Sequence, residues 1–242
     1  MELTDRVVIV TGGGGGVGIG VTLRWLAAGA RVLIVGQTEA SLVKVRDTYA
    51  ATEGADLSRL EIFPADISNE EGATAMVAHA TSIFGTPPDT LLHLVGAFQM
   101  GPLDAPDAPN IWRTMLSINL DSSFYCYRAM LPALRQRGGG WIVGLGSRAA
   151  LAPGAQLAAY AAAKAGLVAL TQSLAAEVRD ENIHVNVLLA STIDTPANRK
   201  AMGEKNADKW VTPDDIADAT LYVCSPQARA VHGATLEVYA RA

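Results

Sequence analysis

Tyr160 and Lys164 are the residues of this chain whose types and spacing carry chemistry most directly. They bracket Ala161-Ala162-Ala163 in an alanine-rich run that reads as helix from about Ala158 to Val178. Four residues of helix advance about 6 Å and return to nearly the same face, so a phenol and an ammonium point into one space. A nearby cation favours phenolate and eases the release and recapture of a proton by Tyr160. Taken alone, a Tyr and a Lys at this spacing make an ordinary surface pair, so the reading depends on what else the chain supplies. Gly12 to Gly16, an unbroken glycine run followed by Gly18, supplies the next part. Glycines on a strand-to-helix turn let the backbone fold tightly and approach a pyrophosphate, which the helix N-terminus stabilises. A flexible low-complexity loop is the alternative. The position of the run, after the first apolar strand and near the N-terminus, favours a dinucleotide site.

The elements that must position these groups alternate between two periods. Val7 to Val10 is a short, continuously apolar run, as expected of a strand covered on both faces. Val17 to Ala28 reads as helix closed by Gly29, Arg31 to Val35 as strand, and Glu39 to about Thr52 as a polar helix. Leu60 to Phe63 and Leu91 to Val95 are the third and fourth strands, with a helix to Phe84 between them that opens at Ser68-Asn69-Glu70-Glu71. One long helix from about Ile111 to Leu134 precedes a fifth strand, Trp141 to Leu145. After the Tyr160 helix come a strand at His184 to Leu189, an irregular polar stretch from Ser191 to Trp210, and a last helix to Cys224. Thr212 is its N-cap and Pro213 its first helical residue. Leu236 to Val238 closes the sheet. This alternation predicts an α/β, single-domain, doubly wound parallel sheet of about seven strands, Rossmann-like, over residues 1–242. Ligands of such sheets sit beyond the carboxyl ends of the strands, where strand order reverses.

Composition narrows the class. The chain has 242 residues, 50% hydrophobic and 18% charged, which excludes disorder and gives a full core. A net charge of −5 without a basic block argues against nucleic acid as partner. No apolar run is long enough to span a bilayer, and the N-terminus lacks a signal-peptide pattern. Cys126 and Cys224 fit two reduced, buried thiols in a cytoplasmic protein. Two cysteines and four scattered histidines give no metal-ligand spacing.

Thr11-Gly12-x-x-x-Gly16-x-Gly18 together with Tyr160-x-x-x-Lys164 resembles the short-chain dehydrogenase/reductase family, over nearly the whole chain. The resemblance implies Ser147 as the substrate-orienting serine, on the loop after the fifth strand. It implies Asn119 as the helix asparagine whose local backbone distortion frees a carbonyl for a water near Lys164. Tyr160 would be the general acid, with Lys164 holding ribose hydroxyls and lowering the Tyr160 pKa. The cofactor set it implies is Gly12, Gly14, Gly15, Gly16, Val17 and Gly18, then Gly36, Gln37, Thr38, Asp66 and Ile67. His93, Gly96, Ile193 and Thr195 complete it, along with Tyr160 and Lys164. Phe98, Met100, Leu157 and Trp210 are candidates for an apolar pocket wall. The chain departs from the family pattern at His93-Leu94-Val95-Gly96, where Asn-Asn-Ala-Gly is usual, and His93 reads as a satisfied strand-end histidine rather than an acid or base. Ala190-Ser191 and Val238-Tyr239-Ala240-Arg241 also depart from it.

Asp194 to Met202, followed by Trp210, resembles the lid of the dihydropteridine reductase branch, although that branch lacks the serine. Three functions are therefore expected to compete: a carbonyl reductase or alcohol dehydrogenase first, a pterin reductase second, a non-catalytic dinucleotide sensor third. The second strand ends at Gly36, without the acid that repels the 2′-phosphate of NADP. Gln37 and Gly15 stand where NADP enzymes often carry a base, so both charged attractions are missing too. The expectation is use of NAD and NADP alike, with a slight lean to NADPH. The family resemblance further implies a homo-oligomer, tetramer or dimer, packed through the Asn119 and Tyr160 helices.

Overall fold

Five consecutive buried residues, Val7–Thr11, form the central strand β1 in a computed structural model that describes residues 3–4 and 6–241. The elements that follow are α1 (Gly16–Ala27), β2 (Arg31–Gly36), α2 (Glu39–Ala50), β3 (Leu60–Pro64), α3 (Glu70–Phe84) and β4 (Thr90–His93). Then come α4 (Ala108–Leu116), a π-helical segment (Ser117–Asp121), α5 (Ser122–Arg137) and β5 (Gly140–Ser147). The chain continues through α6 (Ala158–Glu177), β6 (Ile183–Ala190), α7 (Pro196–Met202), α8 (Pro213–Val223) and β7 (Thr235–Val238). The seven strands pair in parallel in the order β3-β2-β1-β4-β5-β6-β7. This is a Rossmann-like α/β fold, and strand order reverses between β1 and β4.

The period of two in β1 divides the core. Val8 and Val10 pack with Trp25 of α1 and Ile216 of α8 on one face of the sheet. Ile9 packs with Met76 of α3 and Tyr127 and Met130 of α5 on the other. Trp25 satisfies its indole N–H on Thr220 Oγ1 at 2.9 Å, which ties α1 to α8. Thr212 caps α8 in a reciprocal capping box with Asp215, with Pro213 in the first turn as its sequence predicts.

Four expectations are corrected. β4 stops at His93 rather than Val95, because the glycine turn crosses the chain there: a Cβ on Gly12 would stand 3.0 Å from Leu94 C and Val95 N. The expected long helix is interrupted at Ser117–Asp121, where the hydroxyls of Ser122 and Ser123 take the carbonyls of Ile118 and Asn119 at 2.6 and 3.1 Å. Ser147 is the last residue of β5 rather than part of the following loop. Part of the irregular stretch is helical: α7 starts on Pro196, with Thr195 Oγ1 accepting from the Asn198 N–H at 3.2 Å.

Candidate active site

A cleft of about 560 Å³ opens at the carboxyl ends of the strands, across the point where β1 and β4 diverge. Gly12, Gly14, Gly15, Gly16, Val17 and Gly18 border it from the β1–α1 turn, and Gly36, Gln37 and Thr38 from the end of β2. Asp66 and Ile67 border it after β3, Gly96 after β4, and Ile193 and Thr195 after β6. The turn is built from close approaches. A Cβ on Gly14 would meet Ser41 Oγ at 2.6 Å, and one on Gly18 the Gly12 carbonyl at 2.2 Å. No side chain caps α1 and no acid stands in its first turn, so its leading N–H groups face the cleft unneutralised. A pyrophosphate-bearing dinucleotide fits this cradle: backbone donors, an uncompensated helix terminus and no bulk over the turn.

Ser41, Ser68, Ala97, Ile118 and Ser122 also border the cleft without being expected there, and so does Asn198, expected only as part of the lid-like segment. Short-range hydrogen bonds hold two of them. Asn198 is held by its amide donating to the Ile193 carbonyl at 2.8 Å, and Ser41 donates to the Thr38 carbonyl at 2.8 Å.

Next to the cleft at Gly96, and outside the residues that line it, α6 brings its pair against the end of β5. Burial raises the Tyr160 pKa above the ordinary tyrosine value, and the neighbouring Ser147 hydroxyl opposes the rise. Lys164 is buried and donates from Nζ to the Leu145 carbonyl at 2.9 Å. Burial pushes the Lys164 pKa down to about 8. In the chain alone, the expected lowering of the Tyr160 pKa by Lys164 is therefore absent, because burial dominates and the ammonium is turned to β5. Gly96 is where cleft and pair meet: a Cβ there would lie 3.2 Å from both Asn119 Oδ1 and Lys164 Nζ.

Asn119 sits buried within the π-helical segment. Its side chain clamps the backbone of Ala97, accepting from the N–H at 3.2 Å and donating to the carbonyl at 3.1 Å. Its own carbonyl accepts from Ser123 Oγ at 3.1 Å.

His93 is corrected as a cofactor contact. Its ring is buried, between Thr11 Oγ1 at 2.9 Å and Ser122 Oγ at 3.2 Å, and it does not border the cleft as Leu94, Val95 and Gly96 do. Burial, reinforced by the Lys164 charge, pushes its pKa down to about 3. Of the expected wall residues, Phe98 and Met100 are exposed, Leu157 is half-buried before α6, and Trp210 is buried. Phe98 stands edge-on to Tyr160 with ring centroids 5.0 Å apart. The lid-like arginine, Arg199, is turned back onto Asp194 at 2.6 and 2.8 Å. No group of three or more His, Cys, Asp or Glu among the described residues is arranged to hold a metal ion.

The family model described as enoyl-(acyl carrier protein) reductase matches residues 13–239. The chain is 32% identical to a probable galactose dehydrogenase of Rhizobium meliloti (strain 1021), over 89% of this chain and 79% of that protein. It is similar in structure to a 3-ketoacyl-(acyl-carrier-protein) reductase from Brucella melitensis in complex with NADH, with a TM-score of 0.86 and 27% identity over 99% of this chain and 98% of that one. It is similar also to a 7α-hydroxysteroid dehydrogenase in complex with NADH and 7-oxo glycochenodeoxycholic acid, with a TM-score of 0.88 and 28% identity over 98% of this chain and 94% of that one.

Proposed function

The chain belongs to the short-chain dehydrogenase/reductase family and is an oxidoreductase acting on CH–OH or C=O groups, and on that premise we propose that it moves hydride between NAD(P) and a small carbonyl or alcohol substrate. The observation that carries this is the convergence of Ser147, Tyr160 and Lys164 beside a glycine cradle open to a dinucleotide. Nicotinamide, when bound, supplies the hydride chemistry. Tyr160 gives a proton to the substrate oxygen in reduction and recovers it in oxidation. Ser147 hydrogen-bonds the same oxygen and fixes its direction. Lys164 binds ribose hydroxyls and places its charge beside the developing phenolate. The Asn119 carbonyl holds a water that links Lys164 to solvent.

The cofactor-binding assignments go with this reading, His93 excepted, within one NAD(P)-binding domain spanning residues 1–242. Gly36, Gln37 and Thr38 provide neither a base to attract a 2′-phosphate nor an acid to repel it. Both cofactors are used, with a slight lean to NADPH. We assign a cytoplasmic site of action, in keeping with two free, buried thiols, and a homo-oligomeric state, tetramer or dimer. Among the described residues no helix is long and apolar enough to cross a membrane. The pterin reductase reading gains no support from the relatives above, and Ser147 argues for a substrate with an oxygen to orient. Oxidation of NADH and NADPH over a panel of ketones, with and without Tyr160→Phe, tests the assignment.

A further inference from the structure

Two loops flank the Tyr160 end of α6, residues 94–107 after β4 and residues 148–157 after β5. They are tied together where the Gly101 N–H donates to the Gln156 carbonyl at 3.0 Å. Gln156 holds a φ of 63°, a left-handed conformation that a residue with a side chain keeps only when its surroundings demand it. The flanking surface is thus built, not merely left by two slack segments.

Its side chains are apolar. Phe98 is 58% exposed, Met100 52%, Leu103 79% and Leu151 55%. Exposed large hydrophobics concentrated on two joined loops mark a surface that awaits an apolar ligand. Phe98 brings that surface directly to the reacting group, edge-on to Tyr160 at 5.0 Å. Polar partners are few: apart from Ser147, the uncharged hydrogen-bonding side chains here are Gln99 and Gln156. A polyhydroxylated substrate would leave several hydroxyls without partners, which is costly in a desolvated site. Asp104 and Asp107 on the first loop repel a carboxylate, and the one base on the second, Arg148, lies over the Tyr239 ring at 5.8 Å.

We infer that the substrate is a neutral ketone, or the matching secondary alcohol, with an apolar chain or ring next to the reacting carbon. This rests on the hydride-transfer function proposed above. Reduction adds hydride from NAD(P)H to the carbonyl carbon and the Tyr160 proton to its oxygen, so C=O becomes CH–OH as NAD(P)H becomes NAD(P)⁺.

The test is a steady-state series with NADPH and NADH on 2-butanone through 2-octanone, with acetoacetate and dihydroxyacetone as charged and hydroxylated probes. The expected result is a kcat/KM that rises roughly two- to fourfold per added methylene, mainly through KM. 2-Pentanone should exceed acetoacetate and dihydroxyacetone by about tenfold or more. Phe98→Asn should flatten the series and Phe98→Leu should preserve most of its slope; Phe98 is exposed, so neither change disturbs the core. A flat series in the unaltered protein, or faster turnover of acetoacetate or dihydroxyacetone, overturns the apolar class and leaves hydride transfer standing. No cofactor oxidation with any carbonyl overturns both.

Discussion

Lys164 Nζ donates to the Leu145 carbonyl at 2.9 Å, two residues before Ser147 on the same strand. The end of β5 therefore holds the anchor of the lysine and the serine together, and Tyr160 closes the triangle from α6. Because both contacts come from one strand, the relative placement of serine and lysine is fixed by backbone geometry rather than by side-chain packing.

The buried ammonium makes activity depend on pH. Tyr160 has its pKa raised, so it stays protonated well into the alkaline range, whereas Lys164 loses its charge near its value of about 8. In the reductive direction kcat/KM should be level below about pH 8 and fall above it. A rate level to pH 10 would remove charged Lys164 from the mechanism. Linkage gives the matching stability effect. The folded pKa of Lys164 lies below its unfolded value, so its burial penalty is complete below about pH 8 and is relieved as pH rises toward 10.5. Lys164→Met should remove that rise from urea denaturation compared at pH 7 and pH 10.

His93 should act on the cleft without touching it. Ser122 Oγ gives its proton to the Ile118 carbonyl, so it accepts from His93 Nε2, and Nδ1 then accepts from Thr11 Oγ1. His93→Leu leaves the Thr11 hydroxyl without its buried acceptor and should cost about 1–3 kcal/mol of stability. Cofactor affinity should fall as well, since Ser122 and Ile118 border the cleft. Urea denaturation and cofactor titration measure the two effects. Stability unchanged in the variant would contradict this bonding pattern. The ring stays neutral in the fold with a pKa of about 3, whereas the unfolded chain takes up a proton there near 6.5, so His93 should make stability fall as pH drops from 8 to 5.

Much of this site is legible locally. The glycine turn, the Tyr160–Lys164 pair and the caps of α8 each arise from residues a few positions apart, and the strands declare themselves as apolar runs. The rest was less legible, for reasons that differ from element to element. The π-helical break is anticipated at Asn119 only through the family resemblance, since nothing local shows that Ser122 and Ser123 turn onto helix carbonyls rather than to solvent. α7 lacks an apolar stripe, although Thr195-Pro196 repeats the cap signal used correctly at Thr212-Pro213. The motif position of His93 points to the cofactor, and only β1 and α5 together show that its ring is used up in the core.

Cofactor choice should turn on Gly36. A Cβ there would come 3.1 Å from Cδ2 of the buried Leu42, which must shift by a few tenths of an ångström. Gly36→Asp should spare NADH and suppress NADPH, where the unaltered protein prefers neither by more than about tenfold, or roughly 1.4 kcal/mol. Comparison of kcat/KM for both cofactors in the two proteins decides it; an unaltered protein favouring NADH about a hundredfold would contradict the dual reading.

Assembly should use the outer faces of α4, α5 and α6. Trp112 and Phe124 are 43% and 48% exposed on α4 and α5, and Ala158 and Ala169 of α6 are exposed and small enough for close approach. Light scattering should report a dimer or tetramer at micromolar concentration, and Phe124→Glu should shift it to smaller species. A monomeric unaltered protein would contradict this.

The most direct test is NAD(P)H oxidation with the best ketone of the series, measured for the unaltered protein and for Tyr160→Phe. Loss of the general acid should lower kcat by about 10²–10⁴-fold while the cofactor still binds with its original affinity. Equal turnover by the two proteins would remove Tyr160 from the chemistry and contradict the account at its centre.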